Sequence, residues 1–501
     1  MSVSSVSGNI APLLQSVLSI DNQLNTLQQQ LGSGQKSDTY AGLGSQSGVA
    51  VALNAQLAAL SSYDDTMTTA GTTISLQQSI LQQIASVGST VQASTLQPNF
   101  TIDGTGQTST QESAQAELTQ ILGLLNSQGA NGYMFSGSAT DQPSVDTADH
   151  ILNGNGAQAG LKQVIAERNQ ADLGADGLGR LVIPAASGTT VSVSEDAANS
   201  PFGLKLASVS STLTGATVTG PSGSPASISV DLGASNPNPG DSISYAFTLP
   251  DGTTQTLQLQ ATTANPPGAN QFTIGATPAA TAANLQAALT AGVSQIGSTS
   301  LSAASAMAAA NDFFDDPPQR VSGNPATSTS LVDGTSSNTV MWYTGDNSSA
   351  SIRASATARI DPSTTIEYGT QANEDAIRAI VQNVAVLAAT TYSTSDTNAS
   401  NSYGALNQRV NAALSAPNGT QSIDDIEASL ANAQTAMKNA QTQHQQTSNV
   451  LTNLLQSIEG VNTTEVGAQL LSLQTSLSAS LSTTARLSQL SLLNYLAPAT
   501  A

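Results

Sequence analysis

Catalysis by this chain would have to begin from very few groups. His150 and His444 are the only imidazoles in 501 residues, they stand far apart, and cysteine is absent. A thiolate nucleophile, a disulfide and a Cys-based zinc site are therefore excluded, and no His-Glu-x-x-His run offers a zinc pair. His444 falls on the apolar stripe of a helical segment, where it reads as a packed structural residue. Asp312, Asp315 and Asp316, beside Phe313, Phe314 and Pro317-Pro318, could hold a hard cation. Their spacing lacks the alternating oxygen ligands of a calcium loop, so they read as a solvated loop. Neither a Gly-x-x-x-x-Gly-Lys-Ser/Thr phosphate cradle nor a Gly-x-Ser-x-Gly elbow occurs. The expectation is a protein without catalytic residues, cofactor or metal.

Charge narrows the partners. Thirty-three acidic side chains face 12 basic ones, for a net charge of -21. The basic residues are scattered from Lys36 to Arg486, with no cluster that could follow a phosphate backbone, so no nucleic acid is expected. No stretch approaches the ~18 apolar residues of a membrane span, and with no basic residue before Lys36 the start does not read as a signal peptide. The length suits two or three domains. Aromatic residues make up only 3%, leaving little bulky apolar surface for a compact core, and long helices braced by neighbouring chains would tolerate that shortage.

Helical elements dominate both ends. Ile10, Leu13, Val17, Ile20, Leu24, Leu27 and Leu31 recur at steps of three and four, the seam of a heptad helix ~33 Å long. Gly32-Ser33-Gly34 supplies its stop. A second helix is predicted over about Val49 to Val91, with Leu53, Leu60, Tyr63, Met67, Ala70, Ile74, Leu81 and Ile84 on its seam. A third runs roughly from Ser109 to Gln128. Near the other end Ile423, Ile426, Leu430, Ala433, Met437, Ala440, His444, Thr447, Leu451, Leu454, Ile458 and Val461 keep the same alternation. Beyond Gly460 come Val466, Leu470, Leu473, Leu477 and Leu481, then Leu490, Leu493 and Leu496. Each terminal helix has a stripe to bury and no local partner, so the two are expected to find each other. They have little else with which to build a core, and these fifteen residues (Ile10 to Leu31 and Val466 to Leu496) are the expected assembly interface.

From about Ala175 to Pro362 the character changes to Gly, Pro, Ser, Thr and Val, an inserted β-rich domain. Tyr245 to Leu249, Pro250-Asp251-Gly252 and Leu257 to Gln260 spell a hairpin. Phe272 to Ile274 reads as a strand, and Thr277-Pro278 as the cap and first residue of a helix near Ala279 to Ile296. Val340 to Thr344 and Ser351 to Ile360 flank a Gly345-Asp346-Asn347 turn, and Asn373 is placed to cap a helix from Glu374 to Ala389. The predicted fold is mainly α with an inserted β-rich domain. Its segments are 1–35 with 462–501, 36–174 with 363–461, and 175–362.

Three segments resemble the flagellin superfamily. Leu31-Gly-Ser-Gly-Gln-Lys-Ser-Asp-Thr-Tyr-Ala-Gly-Leu-Gly is similar to the turn that follows the first flagellin helix, without the usual Arg-Ile and paired aspartates. Gly132-Tyr133-Met134-Phe135-Ser136-Gly137-Ser138 resembles a signature of the superfamily's hook-filament junction branch, with Tyr133, Phe135, Ser136 and Gly137 as its marks. The ending from Thr484 to Leu496, with Asn494 and Tyr495, is similar to that branch's C-terminus. The resemblance covers about the first 145 and the last 140 residues.

It implies terminal helices paired as an inner coiled coil, a helical outer domain with β elements, and a variable projecting domain. It also implies an extracellular structural protein of the bacterial flagellum, secreted unfolded by type III export and needed for filament assembly and motility. The implied partners are itself in a ring-like homo-oligomer, a neighbouring hook-associated protein, flagellin, and an export chaperone at the C-terminal region. Flagellin itself, as filament subunit, is the alternative, followed by a secreted adhesin with a helical stalk.

Overall fold

The computed structural model describes residues 4–96, 99–346, 348, 351–415 and 420–495, with backbone alone at 4–11, 13, 487, 488 and 490–495. Its helices are α1 (Ser4–Ser33), α2 (Ser47–Thr95), α3 (Ser109–Leu125), α4 (Ala148–Asn153), α5 (Leu161–Leu173) and α6 (Pro278–Ile296) in the first two thirds of the chain. They continue with α7 (Ser302–Phe314), α8 (Asp375–Ala389), α9 (Ala399–Leu414), α10 (Ile423–Glu459) and α11 (Thr463–Tyr495). Strands fill the middle of the chain. The fold is thus mainly α, with long helices at both ends and a β-rich central region. It divides into two compact units: Met1–Thr69 with Arg359–Ile366 and Thr435–Ala501, and Ala70–Ala358 with Glu367–Gln434.

In the first unit α1 and α11 pack on each other, and both leave from one joint. Gly34, at φ +71°, reverses the chain after α1, a backbone conformation that glycine adopts without Cβ penalty. The Lys36 amide donates to the Glu459 carbonyl at 2.6 Å and the Val461 amide to the Gly34 carbonyl at 3.0 Å. The Lys36 ammonium donates to the carbonyls of Ile458 (2.7 Å) and Ser457 (3.3 Å), meeting orphan acceptors at the negative end of α10. Beside the joint Ala50 and Leu53 of α2 are buried with Ile458 of α10, and Leu43, Leu451 and Leu455 pack around them.

The stripe of α10 departs here from the sequence-derived alternation. Thr447 and Leu454 are exposed, Leu454 to 46%, while Ser448, Leu451, Leu455 and Ile458 turn inward. From Ala440 the inward face advances by two successive four-residue steps, through His444 to Ser448. A straight helix of 3.6 residues per turn drifts against a strict heptad, and such a four-residue insertion takes up the drift.

The second unit holds the remainder of α2 and α10 with α3 to α9. Ala70, Ile74, Leu81, Ile84 and Val91 of α2 are buried, as are Ile423, Ile426, Leu430 and Ala433 of α10. Helix α3 opens with a capping box in which Thr108 and Gln111 satisfy each other's backbone amides, and it buries Leu118, Ile121, Leu122 and Leu125 while packing on α8. Two four-stranded sheets make up most of the β region. One runs in the order Gln271–Thr273, Thr254–Thr262, Ser242–Thr248, Lys205–Ser211, and the other Leu181–Val182, Thr190–Glu195, Ser227–Asp231, Thr217–Ser222. All these neighbours are antiparallel except the first pair. Ile243, Tyr245 and Phe247 alternate inward along one strand and Val191 and Val193 along another, sharing a core with Leu285, Leu289 and Val293 of α6. The period-two burial is what one covered face of a sheet demands.

Three expectations are corrected by packing. Val340 to Thr344 forms no hairpin with Ser351 to Ile360. Val340 and Trp342 are buried, the segment bridges to Ala159 and Val145, and the Trp342 indole donates to the Phe314 carbonyl at 3.2 Å. Thr357–Asp361 pairs instead with Thr364–Glu367, two residues on; Asn347 of the expected turn lies outside the described residues. Helix α8 begins at Asp375 with Glu374 in the capping position. The acidic group at 312–316 is a solvated loop only in part: Asp315 and Asp316 are exposed, whereas Asp312 pairs with Arg168 at 2.5 Å.

Candidate assembly surface

Helix α1 places Val17, Ile20 and Leu27 half-buried and Leu24 only 6% exposed, on the side where it meets α11. Val466 of α11 is likewise 6% exposed, with Leu470, Leu473 and Leu477 half-buried in sequence along it. Leu31 and Leu481 are exposed to 42% and 52%; at their level Gln30 and Ser480 occupy the half-buried positions. Ile10, Leu13, Leu490 and Leu493 lie within the helices, as do Asn494 and Tyr495, whose side chains are outside the description. Leu496 falls outside the described residues.

A second set of apolar side chains lies beside this seam. Leu14, Leu18 and Leu471 are 57%, 58% and 65% exposed. Each follows a seam residue directly, in the doublets Leu13-Leu14, Val17-Leu18 and Leu470-Leu471, and those doublets were the sequence signal that a three-and-four stripe overlooks. A step of one residue turns ~100° around a helix, so the second member of a doublet faces away from the partner that buries the first. Leu18, Leu27 and Leu473, with Gln15, Asn22 and Gln469, line an open groove of about 670 Å³ along α1 and α11. Two helices bury one stripe; the doublets carry a second that a further helix would close.

The Tyr133 to Ser138 segment is held in place largely by backbone hydrogen bonds. Gly132 (φ +107°) and Gly137 (φ +68°) frame it. The Tyr133 amide donates to the Thr140 carbonyl at 2.9 Å, and the amides of Ala372 and Asp346 donate to the carbonyls of Phe135 and Ser136, both at 2.9 Å. Phe135 is fully buried. The Gln77 amide donates to the Met134 carbonyl (3.2 Å) and to the Thr370 hydroxyl (2.6 Å), which itself donates to Met134 at 3.1 Å. A Cβ on Gly137 would come within 2.8 Å of the Gln371 amide nitrogen. Every polar group in this list is turned to another part of the same unit, so the signature residues fix the return of the chain.

The groups weighed for chemistry are similarly engaged. Arg168, 5% exposed at its side chain, bridges Asp172 and Asp312 and lies 5.0 Å above the Phe202 ring. Burial raises the Asp172 carboxyl from its ordinary range, opposed by the Arg168 charge and the Gly203 amide. His150 pairs with Asp146 one turn away at 2.8 Å. His444, buried to 4%, stands between Asp64 on α2 and Asp361, with each ring nitrogen 3.0 Å from a different carboxylate; the two aspartates were not foreseen as its partners. Among the described residues no three His, Cys, Asp or Glu side chains converge as metal ligands, and no helix is long and apolar enough to cross a membrane.

No curated protein matches the chain. Residues 8–140 match the family model of the bacterial flagellin N-terminal helical region, a span that takes in most of α1, the Gly34 joint, α2, α3 and the Tyr133 to Ser138 segment. That match supports a place in the flagellin superfamily, and with it a self-assembling structural component of the bacterial flagellum.

Proposed function

We propose that the chain is the adapter that joins the flagellar hook to the flagellin filament. The observation that carries the assembly part of this reading is the doubled apolar stripe of α1 and α11. One side closes within the chain; the other, with Leu14, Leu18 and Leu471, is left for the helices of neighbouring copies. The preference for the junction over the filament rests on the Tyr133 to Ser138 signature and on the Asn494-Tyr495-Leu496 ending.

In this reading 1–35 with 462–501 form the inner coiled coil, 36–174 with 363–461 the helical domain around it, and 175–362 the outer domain. Ile10 to Leu31 and Val466 to Leu496 pair within each subunit along the seam that holds Leu24 and turn the outward stripe of Leu14, Leu18 and Leu471 to neighbouring subunits of a ring, flanked by a hook-associated protein on one side and flagellin on the other. Export follows the flagellar type III route, with a chaperone on the C-terminal helical region. Replacing Leu24 or Leu477 by Glu would block assembly, because an unpaired charge in a packed seam costs several kcal/mol; normal filaments from such variants would remove those faces from the interface.

Electron microscopy of flagella from cells lacking the gene, with flagellin assayed in the medium, tests the role. Hooks without filaments and with flagellin shed to the medium are expected. Intact hooks with no flagellin anywhere would make the chain the filament subunit, and normal flagella would favour the adhesin.

A further inference from the structure

His444 lies where three segments of the first unit meet: α10, which carries it, α2, and the segment Arg359–Ile366. Its Nδ1 is 3.0 Å from Asp64 and its Nε2 3.0 Å from Asp361. The ring is 4% exposed, while the carboxylates keep 40% and 37% of their surface. A neutral imidazole has one N–H and one bare lone pair. Either tautomer would donate to one aspartate and set a lone pair against the other; only the doubly protonated ring satisfies both.

The surroundings leave that pairing unopposed. The Tyr63 ring lies 6.1 Å from the imidazole, and Asp65, the next charge on α2, is exposed. Arg359 turns its guanidinium to the carbonyls of Asp361 and Pro362 on its own segment. Lys438 is the nearest charged residue along α10, more than one turn away. Within Arg359–Ile366 Ile360 is the one buried apolar side chain and Ile366 is half-buried, so the ion pair is the segment's one charged anchor beside a small apolar contact.

We infer that His444 is a proton-operated clasp: doubly protonated, it pins Arg359–Ile366 to α2 and α10, and loss of one ring proton releases that segment. Burial alone would disfavour the charged ring, but the hydrogen bonds and charges of Asp361 and Asp64 outweigh it and raise its pKa above the ordinary 6.5. A group raised in the folded state stabilises fully below its unfolded pKa and loses that contribution as pH climbs through the folded value. The clasp is therefore closed below the raised ring pKa and opens as pH climbs through it.

The test uses the full-length monomer labelled at histidine, with His150→Gln so that a single ring is observed. NMR titration gives the ring midpoint, and hydrogen exchange, corrected for intrinsic rates, gives the protection of amides 359–366 and of the buried half of α10. We expect a midpoint above that of a free histidine, with protection of 359–366 falling by up to about tenfold per pH unit between the free-histidine value and that midpoint, then levelling off, while α10 stays protected. Asp361→Asn should lower the midpoint and weaken protection of the segment at pH values below the wild-type midpoint, and His444→Gln should abolish the pH step. A ring that titrates at or below the ordinary value, or protection that is flat up to the midpoint, overturns the proposal. Both readouts come from the chain with His444 intact, so they stand even where a clasp variant fails to fold.

Discussion

Leu18 and Leu24 are six residues apart on α1, and they separate what the chain does for itself from what it leaves to a neighbour. Leu24 is 6% exposed and Leu18 58%. Full burial of a leucine side chain contributes about 1.5–3 kcal/mol. At Leu24 nearly all of that is already spent within the chain, so Leu24→Ala should weaken the α1–α11 pair by about 2–3 kcal/mol, near the low end for core leucines because a two-helix seam collapses easily. At Leu18 the exposed share leaves roughly 0.9–1.7 kcal/mol to be gained on assembly, an upper bound because alanine retains a methyl group. At about 1.4 kcal/mol per tenfold, Leu18→Ala should raise the critical concentration for polymerisation by up to about five- to twentyfold. Pelleting of purified protein over a concentration series measures this, and hydrogen exchange of α11 in the monomer measures the pair. The expected pattern is crossed: Leu24→Ala loosens the monomer's helices, whereas Leu18→Ala leaves them almost untouched and acts on assembly. A Leu18→Ala protein that polymerises at the wild-type concentration would refute the doubled-stripe argument.

Other perturbations follow from named contacts. Arg168→Ala strands the buried Asp172 carboxylate and should cost about 3–5 kcal/mol, read as a lower denaturant midpoint; an unchanged midpoint would mean that water reaches the site. Gly137→Ala forces a left-handed residue against Gln371 and should cost about 1–3 kcal/mol, measured by thermal unfolding against Gly177→Ala, where a Cβ meets nothing. Lys36→Met removes the ammonium from the end of α10 and should lower stability by about 0.3–1 kcal/mol, with faster amide exchange confined to the joint.

Much of this architecture was legible because helix periodicity is local. The α2 seam from Leu53 to Ile84 is read off the spacing alone, as are the α6 cap at Thr277 and the Tyr245 to Leu259 hairpin. Legibility failed where a distant segment decided the outcome. Val340 to Thr344 has the look of a strand, but Trp342 finds Phe314 and the segment is drawn away from its sequence neighbours. The Ala-rich run Ser302 to Phe314 has strong helix propensity, yet it lies inside a region whose Gly, Pro, Ser and Thr content reads as β-rich, and no helix is predicted there. In α10 the strict heptad is the simpler reading, and only the pairing of His444 with Asp64 and Asp361, remote in sequence, marks where the helix shifts its inward face. For the assembly surface the seam residues were visible and the outward halves of the leucine doublets were not, because a stripe model assigns each apolar residue to a single face.

The joint between Gly34, Lys36, Glu459 and Val461 bears on how this chain carries load. Both terminal helices run outward from it, so a pull or twist applied to either is delivered to the same few bonds: two amides donating across the turn and an ammonium spread over two carbonyls. The turn thereby ties the roots of α1 and α11 together, so that a load on either helix is shared with the other within their unit.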